Sequence, residues 1–380
     1  MNKKETMTSR ERVRAAVEHR QPDRLPIDLG VHFSTGISVF AYRNLREYLG
    51  LSTDHIELID CVQCLARVDT DVAERFHVDT VLLNPPYKKT KRWEARPGYT
   101  FDVPENFNPV LQPNGAYRVE FKGQKLYMPA GGFFFDGDWP DFYDLSTEDK
   151  HKFFAKRAER LYKETDKYTM YMGFSAFFGG LDFACDMLTD PDICIEANQK
   201  LFDEQIRIFD SVNEKMGKYI NCIEVNSDLG TQNGLMCTPD SYREVCLPFL
   251  KKFCEHVHNT SDIHVFLHSC GAVSQLLPEI IEAGVDILNP VQISATGMDA
   301  QKLKAQYGDK ICFWGGGCDT QNILNNATPD AVREHTKAQI ETLKPGGGFV
   351  FNQVHNIMGN IAPENIVAMF DTAYENSFYD

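Results

Sequence analysis

From about residue 147 onward the chain alternates helix-like and strand-like stretches with little between them. Helix patterns at 147–166, 190–216, 239–258, 273–283, 299–306 and 329–343 each precede a short apolar run. Those runs are Tyr168–Phe174, Tyr219–Asp228, Ile263–His268, Val285–Asn289, Lys310–Gly315 and Gly348–Asn352, and a last helix is expected over 363–376. Strands separated by helices pair in parallel through crossovers, which leaves few architectures. Six such units, plus the strand patterns at Arg24–Gly30 and Val78–Leu83, add up to an α/β chain folded as a (β/α)8 TIM barrel. A doubly wound sheet is the alternative. Its dinucleotide-binding form needs G-x-G-x-x-G after an early strand, and no such string occurs.

The N-terminal part reads as a helical extension over 1–77. Thr8 is placed to cap its first helix, with Glu11 three residues on completing a capping box. Residues 36–76 read as mostly helical. Residues 88–135 carry Gly98, Pro104, Pro109, Pro113-Asn-Gly115 and Gly123 between short alternating runs, the pattern of β-hairpins. This stretch is expected to be an antiparallel β insertion, a lid or an interface element through which a homodimer could form. No linker or composition shift divides the chain, so one domain over 1–380 is expected.

Lys and Arg number 39 against 54 Asp and Glu, a net charge of −15, with no basic stripe; nucleic acid is a poor partner for such a surface. No apolar run approaches the ~18 residues of a membrane span, and Met1-Asn-Lys-Lys-Glu-Thr lacks the apolar core of a secretory signal. Eleven scattered cysteines, an odd number, argue against a disulfide framework and for a reducing cytoplasm with free or metal-bound thiols.

In a barrel of this kind, chemistry sits where strands end and βα loops begin. Asp228, His268-Ser-Cys270, Asn289-Pro-Val-Gln292, the loop holding Cys318, and Asn352-Gln-Val-His-Asn356 all fall at such ends. His268 and Cys270 lie two residues apart and point the same way from a strand, so imidazole and thiolate can share one zinc ion. A packed cysteine beside a hydrogen-bonded histidine is the plain reading of the same pair. The third ligand must come from another strand end: His355, Cys318 or Glu224. Glu224, Asn226 and Asp228 share one face of their strand by period two. Cys61-x-x-Cys64 sits in a stretch read as helical with no second pair nearby, and packing is its better reading. Phe133-Phe-Phe135, after Gly131-Gly132, either lines an apolar pocket or packs the insertion.

Several strings together resemble the uroporphyrinogen decarboxylase superfamily, in its corrinoid-dependent methyltransferase branch. They are Met7-Thr-Ser-Arg-Glu-Arg-Val13, His19-Arg-Gln-Pro-Asp-Arg-Leu-Pro-Ile-Asp-Leu-Gly30, Asp228-Leu-Gly-Thr-Gln232, His268-Ser-Cys-Gly-Ala272, Phe313-Trp-Gly-Gly-Gly317 and Val354-His-Asn-Ile357. They span most of the chain in order; the 88–135 insertion is outside them. The resemblance implies a (β/α)8 barrel and a zinc site. His268 and Cys270 match the first two ligands of the coenzyme-M methyltransferases of that branch, and His355 stands where those enzymes carry a second cysteine. One thiolate in place of two leaves the metal a better Lewis acid toward an ether oxygen. Authentic uroporphyrinogen decarboxylases, by the same resemblance, are metal-free and hold substrate carboxylates with an N-terminal arginine cluster, which Leu25-Pro-Ile-Asp-Leu-Gly-Val-His32 lacks.

The resemblance thus implies the substrate-side methyltransferase of an O-demethylase system. A small-molecule methyl donor, a methoxylated aromatic, would bind near zinc and pass its methyl group to cob(I)alamin. Asp228 would protonate or orient the leaving oxygen, and Gln232, Gln292 and Asn356 would hold substrate polar groups. The corrinoid is expected on a separate protein: the nearest string to its D-x-H-x-x-G signature, Asp262-Ile-His-Val-Phe-Leu267, lacks the glycine. Methylcobamide:thiol transfer and metal-free decarboxylation are rivals within the superfamily. A metal- or corrinoid-binding module without turnover is the rival from another class.

Overall fold

The computed structural model describes residues 4–379; residues 1–3 and 380, the ends of the single domain expected over 1–380, lie outside the described residues. Six parallel strands stand side by side in chain order: Met170–Ser175, Cys222–Asn226, His264–His268, Ile287–Asn289, Cys312–Trp314 and Phe349–Val350. Two short segments join the ends of this sheet. Ile27 pairs in parallel with Phe351, and Thr80 with Tyr168. The Asp79 N–H donates to the Ile27 carbonyl at 2.7 Å, which links the two segments to each other. Six strands and two short staves close the (β/α)8 barrel that the alternation predicts.

Side chains alternate across a strand, so Cys222, Phe266, Ile287, Cys312, Trp314 and Val350 point inward and pack as one apolar cluster with Tyr168 and Met170. One inward position further along their strands stand Glu224, His268 and Asn289. His268 is in register with Asn226 on one side and Asn289 on the other. The barrel is therefore apolar below and polar at its C-terminal mouth.

The N-terminal helix spans Ser9–Val17, and the Thr8–Glu11 capping box is formed. The 36–76 stretch departs from expectation. Helices cover only Val39–Tyr48 and Thr70–Arg75, with antiparallel strands Leu58–Asp60 and Leu65–Ala66 between them. The Asp60 carboxylate takes the N–H groups of Val62 and Gln63 at 2.7 and 3.1 Å, turning the chain where a helix would continue. Cys61 and Cys64 lie in this turn rather than on a helix; both are buried, free thiols. The helix expected over 239–258 is two, Pro239–Val245 and Leu247–Thr260. Pro248 opens the second because its missing N–H cannot bond back into the first.

Residues 90–137 form two antiparallel units, a hairpin of Thr90–Arg96 with Tyr99–Pro104 and a four-stranded sheet running to Asp136–Gly137. Beside the two short staves lies an ion cluster. Asp79, fully buried, accepts from Arg12 Nη1 and Arg24 Nη1 at 2.7 Å each and from the Ile27 N–H at 2.9 Å. Asp23 binds the other side of Arg12 at 2.6 Å. The Asp23-Arg-Leu-Pro string is thus structural. No helix among the described residues is long and apolar enough to cross a membrane.

Candidate metal and substrate site at the barrel mouth

Among the described residues, one set of three metal-competent side chains has its ligating atoms within 4.8 Å of one another: Asp228, His268 and Cys270. His268 ends one strand and Cys270 follows it, while Asp228 follows the end of the adjacent strand. His268 Nε2 lies 3.6 Å from Cys270 Sγ and 3.9 Å from Asp228 Oδ1. Asp228 Oδ1 also accepts the Cys270 N–H at 2.9 Å, fixing the carboxylate beside the thiol.

The tautomer of His268 follows from its neighbours. Asn289 Nδ2 donates to the Trp314 carbonyl at 2.8 Å, so Asn289 Oδ1 is turned toward His268. That oxygen can only accept, so His268 Nδ1 carries the proton and donates across 2.8 Å. The Nε2 lone pair then faces Cys270 and Asp228. A histidine fixed through its far nitrogen in this way is the usual support of a metal ligand. Burial, and then the neighbouring His32, push the His268 imidazole toward its neutral, ligating form. Burial and the Asp228 carboxylate push the Cys270 thiol up, so without a cation nearby it stays protonated.

The donor set fits zinc: one nitrogen, one sulfur and one oxygen, leaving a fourth position for substrate. Tetrahedral bonds of about 2.0 Å to nitrogen and about 2.3 Å to sulfur separate those two atoms by roughly 3.5 Å, close to the 3.6 Å found here.

The other expected ligands are elsewhere. His355 is exposed, outside the cluster, with Nδ1 3.2 Å from the Asn356 carbonyl. Cys318 is fully buried with Sγ on the Asp319 carbonyl side at 3.9 Å, its thiol pushed up to about 12 by burial. Glu224 is buried and engaged: Oε2 takes the Gly173 N–H at 2.8 Å, and Oε1 is 3.3 Å from His32 Nε2. Burial raises the Glu224 carboxyl, but His32, that N–H and His268 outweigh it and hold it below the usual carboxylate range.

The expected substrate residues divide in two. Gln292 Nε2 donates to Gln232 Oε1 at 2.8 Å and its Oε1 accepts the Gly271 N–H at 2.8 Å, so this amide pair braces the loop after Cys270. Gly271 itself has φ +90°, and a Cβ there would stand 2.3 Å from the Gly230 carbonyl carbon. Asn356 behaves differently: its Nδ2 donates to Gln63 at 2.7 Å and its buried Oδ1 has no partner.

His32 is the participant that the sequence reading did not single out. Its ring sits 5.2 Å from that of His268, its Nδ1 lies 2.7 Å from Ser34 Oγ, and its Nε2 lies 3.3 Å from Glu224 Oε1. Ser34 Oγ donates to Asn289 Oδ1 at 2.7 Å, which ties this loop to the His268 support. His32 follows the stave that begins at Arg24, and the strand-end rule that picks out His268 applies to it equally.

Fold and mouth together define a (β/α)8 barrel with a metal-competent cluster at its C-terminal face. Residues 181–376, just over half of the chain, match the family described as Uroporphyrinogen decarboxylase (URO-D), and the chain belongs to that family. Its curated relatives include a uroporphyrinogen decarboxylase of Hydrogenovibrio crunogenus, 29% identical over 38% of this chain and 39% of the relative. Another is the uroporphyrinogen decarboxylase of Pelodictyon phaeoclathratiforme, 24% identical over 36% of this chain and 38% of the relative. The chain thus matches about two fifths of the length of these relatives. Among solved structures, a methyltransferase from Methanosarcina mazei has the same fold, with a TM-score of 0.58, 15% identity, and coverage of 97% of this chain and 99% of that one.

Proposed function

We propose that the chain is the substrate-side methyltransferase of an O-demethylase system, moving a methyl group from a methoxylated aromatic donor to the cob(I)alamin of a separate corrinoid protein. The observation that carries this reading is the Asp228–His268–Cys270 cluster, with His268 Nε2 presented by Asn289. These three side chains would hold zinc. When bound, zinc supplies Lewis acidity to the donor's ether oxygen.

The chain's own residues do the rest. Asn289 and Ser34 keep the His268 lone pair aimed at the mouth. Gln232 and Gln292 keep the Cys270 loop in place. As the methyl carbon leaves for the acceptor, the carbon–oxygen bond breaks and its electron pair stays on oxygen as a phenolate. With Asp228 as third donor, the set carries two formal negative charges, as a His-Cys-Cys set does. Charge counting on His355 therefore no longer separates an ether from a thiol. A carboxylate is a harder donor than a second thiolate and quenches the acidity of the metal less.

The curated relatives bear the name of a decarboxylase. A polycarboxylate needs free cations to hold it, and Arg12, Arg24 and Arg46 are already committed to Asp79 and Asp71.

The test is zinc-loaded protein with chemically reduced cobalamin and a methoxyarene. Loss of the cob(I)alamin absorbance with equimolar release of phenol is expected. Transfer only with methylated thiols, or carbon dioxide release from uroporphyrinogen by metal-free protein, would replace this reading.

A further inference from the structure

A cleft of about 260 Å³ lies between the insertion and the loop after the last barrel strand. None of Asp228, His268 and Cys270 lines it, so it is apart from the metal-competent cluster. That volume is below the range for drug-sized ligands and suits one small head group. Its walls present two exposed rings, Phe134 at 46% and Trp139 at 62%, with the Met358 thioether beside them. The faces of such rings carry negative potential and attract cations.

The open carboxylate in the cleft points the same way. Phe135 is buried, so Phe134 and Asp136 on either side of it both face outward. Asp136 Oδ1 accepts the Gly137 N–H at 3.0 Å, and no cation pairs with this carboxylate among the described residues. Arg118 and Lys125 line a separate groove that shares only Asp136 and Gly137 with this cleft. His355, also exposed, is the other titratable group here. Its Nδ1 lies 3.2 Å from the Asn356 carbonyl, which can only accept, so Nδ1 carries a proton and the neutral ring offers a lone pair at Nε2. The cleft thus brings together two π faces, a thioether, a carboxylate and an imidazole lone pair, with no lysine or arginine in its walls. These are surroundings for a cation rather than an anion.

We propose that this cleft binds a small quaternary ammonium, its methyl groups against Trp139, Phe134 and Met358 and its charge facing Asp136. A primary ammonium brings three N–H donors that lose water on entry; a quaternary one brings none, so π faces and one carboxylate suffice to hold it. This site goes beyond the methyl-transfer reading and does not rest on it.

Calorimetric titration of the full, metal-free chain tests it, at about pH 8, where an ordinary imidazole is neutral. Choline is compared with neohexyl alcohol, its uncharged carbon isostere. Choline is expected to bind saturably and on the order of 10-fold more tightly than the alcohol. Trp139→Leu should weaken choline by about 5–30-fold. Asp136→Asn should weaken it by about 2–5-fold and leave the alcohol unchanged. Both side chains are exposed, so both variants should melt with the unmodified protein. Equal affinity for choline and the alcohol, or no saturable binding of choline below about 10 mM, overturns the proposal without touching methyl transfer. Choline affinity unchanged by Trp139→Leu, or a choline-to-alcohol ratio unchanged by Asp136→Asn, overturns it too.

Discussion

Replacing Asn289 with leucine removes the acceptor that fixes His268 while keeping the same branched side-chain shape. In the folded chain Asn289 makes three contacts at 2.7–2.8 Å: its Oδ1 accepts from His268 Nδ1 and Ser34 Oγ, and its Nδ2 donates to the Trp314 carbonyl. Without them the imidazole can take the other tautomer, which puts a proton on Nε2 and blocks it as a ligand. Loss of such a supporting contact weakens metal affinity by roughly 10–100-fold, or about 1.4–2.7 kcal/mol. The assay is zinc titration against a chromophoric chelator, with a parallel melting curve. The Trp314 carbonyl also loses its donor, so a stability loss of about 1–3 kcal/mol is expected alongside. Ser34→Ala removes only one of the two donors to Asn289 Oδ1 and should weaken zinc by less than about 10-fold. A dissociation constant for folded Asn289→Leu within about 2-fold of the unmodified protein would refute the assignment of His268 as a ligand held by Asn289.

Three further outcomes follow from the framework around the site. Asp79→Ala leaves Arg12 and Arg24 buried without their shared carboxylate and should cost about 3–5 kcal/mol in urea unfolding. Burial works against ionisation of Asp23, but Arg12 and the Thr6 and Met7 N–H groups hold its carboxyl down at about 2, from an ordinary 3.8. Its contribution, ~2 kcal/mol, is therefore complete above pH 3.8 and lost as pH falls toward 2; Asp23→Asn should remove that part of the acid dependence of stability. Gly271→Ala sets a Cβ 2.3 Å from Gly230 in a left-handed backbone and should cost on the order of 1–3 kcal/mol, read by thermal melting.

The barrel was legible because its signal repeats: each apolar run after residue 147 is short, helix-flanked and ends in polar residues. The same rule about strand ends picked out Asp228, His268 and Cys270, which the fold brings together. It also covered His32, but the segment around it has no periodicity to mark where the stave stops, and the stave is secured by an isolated bridge at Ile27. His355 stands where related enzymes carry a ligand, yet spacing along the chain does not say which way a loop side chain turns. Here it is exposed and outside the cluster, and Asp228 on the neighbouring strand end stands beside His268 and Cys270 instead. Residues 36–76 misled because their apolar spacing suits a helix, while the turn at Asp60 depends on one carboxylate capturing two backbone N–H groups. The pairing of Gln232 with Gln292 joins residues 60 apart and has no local signature.

The most direct measurement is zinc per chain after reconstitution, in the unmodified protein and in Cys270→Ala, Asp228→Asn and His355→Ala. About one zinc is expected in the unmodified protein and in His355→Ala, with loss in Cys270→Ala and weakened retention in Asp228→Asn. A protein that takes up no zinc, or one that loses it in His355→Ala and keeps it in Asp228→Asn, would contradict the site at the barrel mouth.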